Sequence, residues 1–289
     1  MNAPRTVAPP DLPEPVPGYV PYDVGRLSYA ATFEDPWRAR AIRGVEWATG
    51  KVRLLRLIRR FEREGVEHGQ GFFEHAFRVM GIALETPADQ VGRIPATGPV
   101  IVVANHPHGL VDGMALANLI GRVRTDYRIM TRSLLTGIPE IERFMIPVPF
   151  AHDADALHGN LAAREAARAQ LAAGGVVALF PAGAVAAART PFGAAEEGEW
   201  SPFTAKLIRS SGATVVPIRF TGQNSRAYQI ANLVSATLRQ GLLLHEVVHA
   251  LGRAQAPVVG APIPRGEWRA RAGDPRAFMR WLRARTLAL

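Results

Sequence analysis

The sequence predicts an α/β protein, with a mostly parallel β-sheet flanked by helices and an amino-terminal helical hairpin ahead of it. Two observations favour this class. From Gly98 onward, short runs rich in valine and isoleucine alternate with stretches of helical periodicity, which is typical of a parallel sheet covered on both faces. Before Gly98, the apolar residues follow a helical period in two successive segments.

Composition excludes several classes of protein. The chain has 289 residues, of which 48% are hydrophobic and 20% charged, as in ordinary globular proteins and unlike disordered or collagen-like chains. It contains 0 cysteines, which excludes disulfides, thiolate nucleophiles and cysteine-ligated zinc or iron–sulfur centres.

The first 85 residues are predicted to form two segments. Residues 1–22 are rich in proline and lack a hydrophobic period, which predicts a disordered tail. Residues 23–85 are predicted to be helical, with a basic amphipathic helix over about 37–63 and a second helix over about 71–84. Such a basic helix either rests on an anionic membrane surface or packs against its own domain, and the sequence leaves both open. Its apolar face is predicted to comprise Trp47, Leu54, Leu57, Ile58 and Phe61.

Positive charge collects in two places. Residues 36–63 carry nine basic and two acidic side chains, and residues 252–289 carry eight basic and two acidic ones, within a formal net charge of +9. This pattern suits anionic lipid or nucleic acid. Because no aromatic-and-basic strand motif or recognition helix accompanies the arginines, we expect an anionic membrane surface as partner and no nucleic acid. With no secretory leader pattern and no apolar run of membrane-spanning character, the expected location is cytoplasmic, peripheral at the inner face of the membrane.

Residues 86–289 are predicted to form the α/β domain. The predicted strands are Pro99–Ala104, Tyr127–Met130, Met145–Val148, Val176–Phe180 and Thr214–Phe220, with a short one near Val258. The predicted helices lie at about 112–122, 160–173, 202–210, 225–239, 241–251 and 275–287. Reactive groups of such sheets gather at the carboxyl ends of the strands, so the segments that follow the strands are candidates for a site.

A polar segment follows the first predicted strand. It reads Asn-His-Pro-His-Gly-Leu-Val-Asp-Gly from Asn105 to Gly113. At a strand's carboxyl end, His106 can take a proton from an attacking hydroxyl, and Asp112 can fix its tautomer and stabilise the imidazolium. The glycines and the proline allow the turn that brings the two side chains together. The alternative is that Asp112 only caps the next helix and His106 is a structural loop residue.

This segment resembles the first sequence block of the glycerolipid acyltransferases, and more narrowly that of the hemolysin-related branch of the lysophospholipid acyltransferase superfamily. Three later segments are similar to that branch's other blocks, in the same order. They are residues 135–150, 177–183 and 216–225. The similarity runs from about Gly98 to Pro264.

The resemblance implies a glycerolipid acyltransferase-like fold and an O-acyltransferase activity. A fatty acyl group would pass from acyl-CoA or acyl carrier protein to a lysophospholipid-like or other lipid acceptor, without a metal or an organic cofactor. His106 would be the general base and Asp112 its orienting partner. The substrate-binding residues that it implies are Asn105, His108 and Gly109 around the attacked carbonyl, and Phe180, Pro181, Ala182 and Gly183 in the acceptor pocket.

Two departures from the family pattern concern the site. Five residues separate His106 from Asp112, where the commonest spacing is four. Ala184 stands where the family has an arginine that holds phosphate, which weakens the case for a phosphate-bearing acceptor. Arg132, after the second predicted strand, is the candidate substitute anchor, with a surface salt bridge as its alternative role.

A second motif favours a different function. His245-Glu246-Val247-Val248-His249 matches HExxH, in which two histidines one helical turn apart bind zinc and the glutamate acts as base. Gln255 stands where an extended form of the motif has a third histidine, and without zinc the segment is an ordinary helix that packs its leucines and valines inward. A zinc metallohydrolase and a non-catalytic lipid-binding relative therefore stay open as alternatives.

Overall fold

A computed structural model describes residues 22–23, 27–32, 35–131, 138–149 and 156–289. Its architecture is α/β, a six-stranded and mostly parallel sheet with helices on both faces, and this confirms the predicted fold class. Three sequence predictions fall wholly or partly outside the described residues: the tail apart from Tyr22, Arg132, and residues 135–137 and Phe150 of the second sequence block.

The sheet is built around the first strand. The strands are β1 Val100–Ala104, β2 Tyr127–Thr131, β3 Met145–Pro147, β4 Val176–Leu179, β5 Ala187–Ala188, β6 Ala195–Glu196, β7 Thr214–Arg219 and β8 Val258–Val259. The spatial order is β3-β2-β4-β1-β7-β8, in which β8 alone is antiparallel to its neighbour, and β5 and β6 pair as a separate hairpin. Because β1 lies between β4 and β7, the ends of three strands that are far apart in sequence meet at one edge.

Twelve α-helices occur in the described part of the chain. They are α1 Pro36–Thr49, α2 Lys51–Arg63, α3 Gly71–Met80, α4 Ala88–Val91, α5 Leu110–Gly121, α6 Ala156–Ala172, α7 Pro202–Ser211, α8 Arg226–Val234, α9 Ala236–Gly241, α10 Leu243–Ala250, α11 Arg265–Trp268 and α12 Pro275–Leu287. Among these helices, none combines the length and the apolar composition that crossing a bilayer requires.

Both faces of β1 are buried. Val100, Val102 and Ala104 join a core that includes α2, α3, α5 and α10. Ile101 and Val103 join a second core with α6, α7 and α12. Full burial of a valine or isoleucine side chain contributes about 1.5–3 kcal/mol, so the strand gives the segment that follows it a rigid support.

The prediction of a single helix over 37–63 is wrong, because the structure has two helices, α1 and α2, that meet at Gly50. A Cβ at Gly50 would lie 2.9 Å from Val248 Cγ2 of α10, so the approach of α10 leaves room only for glycine. Trp47, which was predicted to lie on the apolar face of that helix, is 55% exposed. Because the helix breaks at Gly50, Trp47 of α1 does not share the apolar face of α2.

Two other features differ from the sequence prediction. The helix predicted over 225–239 is divided into α8 and α9 at Ser235, where the backbone is extended. The side chain of Ser235 caps α9 by accepting a hydrogen bond from Leu238 N–H. The β5–β6 hairpin was not predicted, because strands of two residues are too short to show a hydrophobic period.

Candidate active site

A cleft of about 570 Å³ opens where β1 and β4 end. His106, which follows β1, lines this cleft together with Phe180, Pro181 and Gly183, which follow β4. Residues of α5 to α10, the end of β2, Tyr29 and Val148 also line the cleft, and most of the side chains that face the space are apolar. A cavity of this size at the carboxyl edge of a parallel sheet is the usual place for a small-molecule site.

Asn105 fixes the start of the His106 segment. Its side-chain Nδ2 donates to Phe220 O at 2.8 Å, and its Oδ1 accepts from Phe220 N–H at 2.7 Å. The side chain is buried, and it ties the end of β1 to the residue that follows β7. Asn105 therefore lies outside the cleft lining, in contrast to its neighbour His106.

The imidazole of His106 meets the carboxylate of Asp112. His106 Nδ1 lies 3.0 Å from Asp112 Oδ2, so the predicted approach of these two side chains is present in the structure. An ionised carboxylate accepts at this position, which places the proton on Nδ1 and leaves the Nε2 lone pair as an acceptor. The ring stacks on Phe180 at 3.9 Å between centroids, and its side chain is 18% exposed.

Asp112 also lies in the first turn of α5 and caps that helix, so the capping role that the sequence left open is present in the structure. Its Oδ2 accepts from His108 N–H at 2.7 Å and from Gly109 N–H at 3.1 Å. Burial alone would raise the pKa of Asp112, but the hydrogen bonds from His106 and His108 outweigh it, and the pKa lies below its ordinary value. The carboxylate therefore stays ionised beside His106 at neutral pH.

His108 and Gly109 shape the loop. His108 Nδ1 lies 3.1 Å from Asp112 Oδ1, so one carboxylate holds two imidazoles, but His108 is outside the cleft lining. Gly109 lines the cleft and has a φ of 77°, a conformation that other residues rarely adopt. The imidazole that reaches the cleft is that of His106.

Not all of the predicted acceptor-pocket residues line the cleft. Phe180, Pro181 and Gly183 line the cleft, whereas Ala182 packs against the core with α6, α7 and α12. Ala184, which replaces the arginine of the family pattern, lines the cleft as well.

Several lining or contacting residues were missed at the level of sequence. Of the residues that line the cleft in the described part of the chain, none is acidic, and Arg164 and Arg239 are the basic ones. Glu197 is buried and accepts a hydrogen bond from His106 N–H at 3.1 Å. These residues lie in stretches without a motif, so only the tertiary structure brings them to the site.

The contacts of the HExxH segment do not favour a zinc site. Glu246 is buried and accepts from Ser225 N–H at 2.7 Å and from Ser225 Oγ at 2.6 Å, so it is engaged in capping α8. His245 Nδ1 lies 2.8 Å from Thr49 O and holds α10 against α1. No cluster of three or more His, Cys, Asp or Glu side chains suited to a metal ion occurs within the described ranges.

Two comparisons with known proteins bear on the family of the chain. The sequence model of the acyltransferase family matches residues 55–254. The chain is 26% identical over 179 residues to the lyso-glycine lipid O-acyltransferase of Phocaeicola vulgatus, an alignment that covers 59% of this chain and 61% of that relative. Less than two thirds of that protein's length is therefore represented. Because the family model matches more than half of the sequence, the chain belongs to the acyltransferase family.

Proposed function

We propose that the protein transfers a fatty acyl group from the thioester of acyl-CoA or acyl carrier protein to the hydroxyl of a lysophospholipid-like or related lipid. The observation that carries the proposal is the contact of 3.0 Å between His106 Nδ1 and the buried Asp112 carboxylate at the edge of a largely apolar cleft. The order of the four sequence blocks supports assignment to the hemolysin-related branch. Lipid O-acyl transfer also agrees with the name of the Phocaeicola vulgatus relative.

The proposed reaction uses His106 as a proton shuttle. His106 Nε2 takes the proton of the acceptor hydroxyl as its oxygen attacks the thioester carbonyl carbon. The carbonyl becomes a tetrahedral oxyanion, the C–S bond then breaks, and the imidazolium returns the proton to the leaving thiolate. Asp112 stabilises the imidazolium between these two transfers.

Two N–H groups of the His106 loop are not available as donors for the oxyanion. The N–H groups of His108 and Gly109 already donate to Asp112 Oδ2. Ala184 and Val185 line the cleft, and the next residue, Ala186, donates its N–H to His106 O at 2.8 Å. We therefore propose the N–H groups of Ala184 and Val185 as the oxyanion donors.

The test of this function is acyl transfer by the purified protein. Labelled acyl-CoA and acyl carrier protein thioester are each incubated with lysolipids that carry phosphate, carboxylate or neutral head groups, including a glycine-based lysolipid. The expected result is an acylated lipid and one free thiol per acyl group transferred. Binding of the thioester without any product would contradict the proposal and favour a non-catalytic lipid-binding relative.

The charge of the cleft favours an anionic acceptor. Arg164 lines the cleft, and its guanidinium lies 5.1 Å from the ring centroid of Phe203 at the start of α7. Since the described lining contains no carboxylate, an anionic head group would meet no repulsion there. We predict that Arg164→Gln raises KM for an anionic lysolipid about tenfold and leaves KM for a neutral one unchanged.

The matched control for this prediction is Arg168→Gln. Arg168 is exposed on the same helix, one turn later, and does not line the cleft. If the KM for the anionic lysolipid is the same in Arg164→Gln as in the wild-type protein, Arg164 does not contact the head group.

We also propose that α1 and α2 hold the protein on an anionic membrane surface, at the cytoplasmic side. Trp37 and Trp47 are 73% and 55% exposed, and Val52 at the start of α2 is 39% exposed. The two acidic residues of these helices are not exposed with them, since Glu46 is buried and Glu62 is partly buried. The exposed basic residues of the surface are Arg38, Arg40, Arg43, Arg53, Arg56, Arg59, Arg60 and Arg63.

Vesicle sedimentation tests this surface. The wild-type protein is expected to bind vesicles of neutral lipid that contain about 30% anionic lipid. It is expected to lose affinity when Arg53, Arg56 and Arg59 become glutamine, and to change little when net charge is removed elsewhere. At about 1 kcal/mol per arginine, the loss is roughly a hundredfold. The control, with Arg168, Arg209 and Arg276 changed to glutamine, alters the net charge equally at exposed sites elsewhere. Equal binding by both triple variants would contradict the assignment.

A further inference from the structure

Glu197 lies directly behind the main chain of His106. It follows β6 and precedes α7, 91 residues after His106 in the chain. Its Oε2 accepts a hydrogen bond from His106 N–H at 3.1 Å, and only 8% of the residue is exposed. A backbone carbonyl or a neutral amide could accept this bond, so the presence of a buried acid needs a reason beyond the bond itself.

The Glu197 carboxylate is held in place by the packing around it. Its Oε1 accepts from Trp200 Nε1–H at 3.1 Å, and Trp200 is buried in the core with α6, α7 and α12. Arg283 of α12 donates to the main-chain oxygens of Glu197 and Gly198. The position of the carboxylate is therefore set by Trp200, just before α7, while Arg283 of α12 holds the main chain of the same segment.

With this contact, His106 is fixed at three points. Glu197 holds its N–H, Ala186 N–H donates to its carbonyl oxygen at 2.8 Å, and Asp112 holds Nδ1 at 3.0 Å. A base that is fixed in this way keeps the direction of its Nε2 lone pair, and small misplacements of a catalytic group are costly.

Glu197 also places an ionisable carboxyl group next to the base. Burial raises the pKa of Glu197 above its ordinary value, while the hydrogen bonds from His106 and Trp200 and the charge of Arg283 act in the opposite direction. The other titratable groups at this point are Asp112, which is ionised, and His108, which shares that carboxylate. An ionised Glu197 favours the protonated form of the neighbouring imidazole.

We propose that Glu197 is a positioning residue of the reaction: its carboxyl group fixes the main chain of His106, and in its ionised form it stabilises the imidazolium that forms during acyl transfer. The inference rests on the proposed function. Glu197 does not line the described cleft, so its effect is on the base and not on the substrate.

The test compares Glu197→Gln, Glu197→Asp and Glu199→Gln in steady-state kinetics across pH. Glu197→Gln removes the charge, and the single oxygen of glutamine can accept from only one of the two donors, His106 N–H and Trp200 Nε1–H. We therefore expect kcat to fall about tenfold to a hundredfold while KM stays unchanged. The acidic limb of its pH–rate profile is expected to move to lower pH. Glu197→Asp keeps the charge but shortens the reach, so kcat falls and the limb stays in place.

Glu199→Gln is the matched control, because Glu199 is exposed two residues away and is expected to behave as the wild type. Thermal unfolding of each variant accompanies the kinetics. A folded Glu197→Gln or Glu197→Asp variant with wild-type kcat and pH profile would overturn the proposal. Unfolding of both variants would also overturn it, since Glu197 would then be a residue of stability alone.

A second measurement separates this proposal from the proposed function. Protein labelled with ¹⁵N-histidine is titrated by NMR without substrate, and the His106 signals are identified by their loss in His106→Ala. The titration of these signals is expected to move to lower pH in Glu197→Gln and not in Glu199→Gln. An unchanged titration would contradict the role of Glu197 even if acyl transfer is observed, and a shifted one would support it even if no acceptor is found.

Discussion

Replacing His106 with alanine is expected to lower kcat/KM for acyl transfer about a thousandfold and to leave the protein folded. The loss follows from the removal of the group that takes and returns the proton. The fold should tolerate the change, because the imidazole is partly exposed and makes a hydrogen bond with Asp112 and a stacking contact with Phe180 rather than packing in a core. The free energy of unfolding should fall by about 1 kcal/mol, the value of one hydrogen bond.

The measurement is a thioester-consumption assay together with thermal unfolding. His158→Ala is the matched control, since His158 is exposed on α6 and lies outside the cleft lining. Acyl transfer at the wild-type rate in a folded His106→Ala variant would remove His106 from the mechanism.

Asp112→Asn is expected to have a similarly large effect on kcat, about a thousandfold or more, and a cost in stability as well. The carboxylate accepts four hydrogen bonds, from His106 Nδ1, His108 N–H, His108 Nδ1 and Gly109 N–H. Asparagine keeps one acceptor oxygen, but the NH₂ group that replaces the other oxygen cannot accept, so part of this set is lost and the wrong tautomer of His106 is favoured. A buried donor without its acceptor costs about 1–3 kcal/mol.

The stability difference between the wild type and Asp112→Asn should depend on pH. Because the folded-state pKa of Asp112 lies below its ordinary value, the carboxylate stabilises the fold above about pH 4. This contribution is lost as the pH falls through the folded-state pKa, so the two unfolding curves should converge in acid. Urea unfolding between pH 7 and pH 3 measures the difference, and Asp89→Asn, at an exposed carboxylate, is the control. A difference that stays constant over this range would show that the Asp112 charge is not the stabilising element.

Much of the fold could be predicted because its signals are local. The valine-rich strand β1 is buried on both faces, and such strands read as continuous apolar runs. The contact between His106 and Asp112 could be predicted as well, since one strand end, one turn and one helix start fix it within six residues. The boundaries of residues 1–22, 23–85 and 86–289 as separate segments stay predictions.

The features that were missed depend on residues far apart in the chain. Gly50 lies where α1 ends, and Val248, almost two hundred residues later, occupies the space that a side chain at this position would need. Glu197 lies among other glutamates and glycines, and no local pattern distinguishes it from the exposed Glu199. Its contact with His106 follows from the order of the strands, which a single sequence does not give.

The two hydrogen bonds between Asn105 and Phe220 have a consequence for synthesis of the protein. The loop that carries His106 is made early, but its anchor is translated more than a hundred residues later. A nascent chain therefore cannot complete this region until β7 and Phe220 have left the ribosome, and pairing over such a separation is slow compared with helix formation. Truncated products that end before Phe220 would carry the histidine and the aspartate yet lack a finished reaction centre.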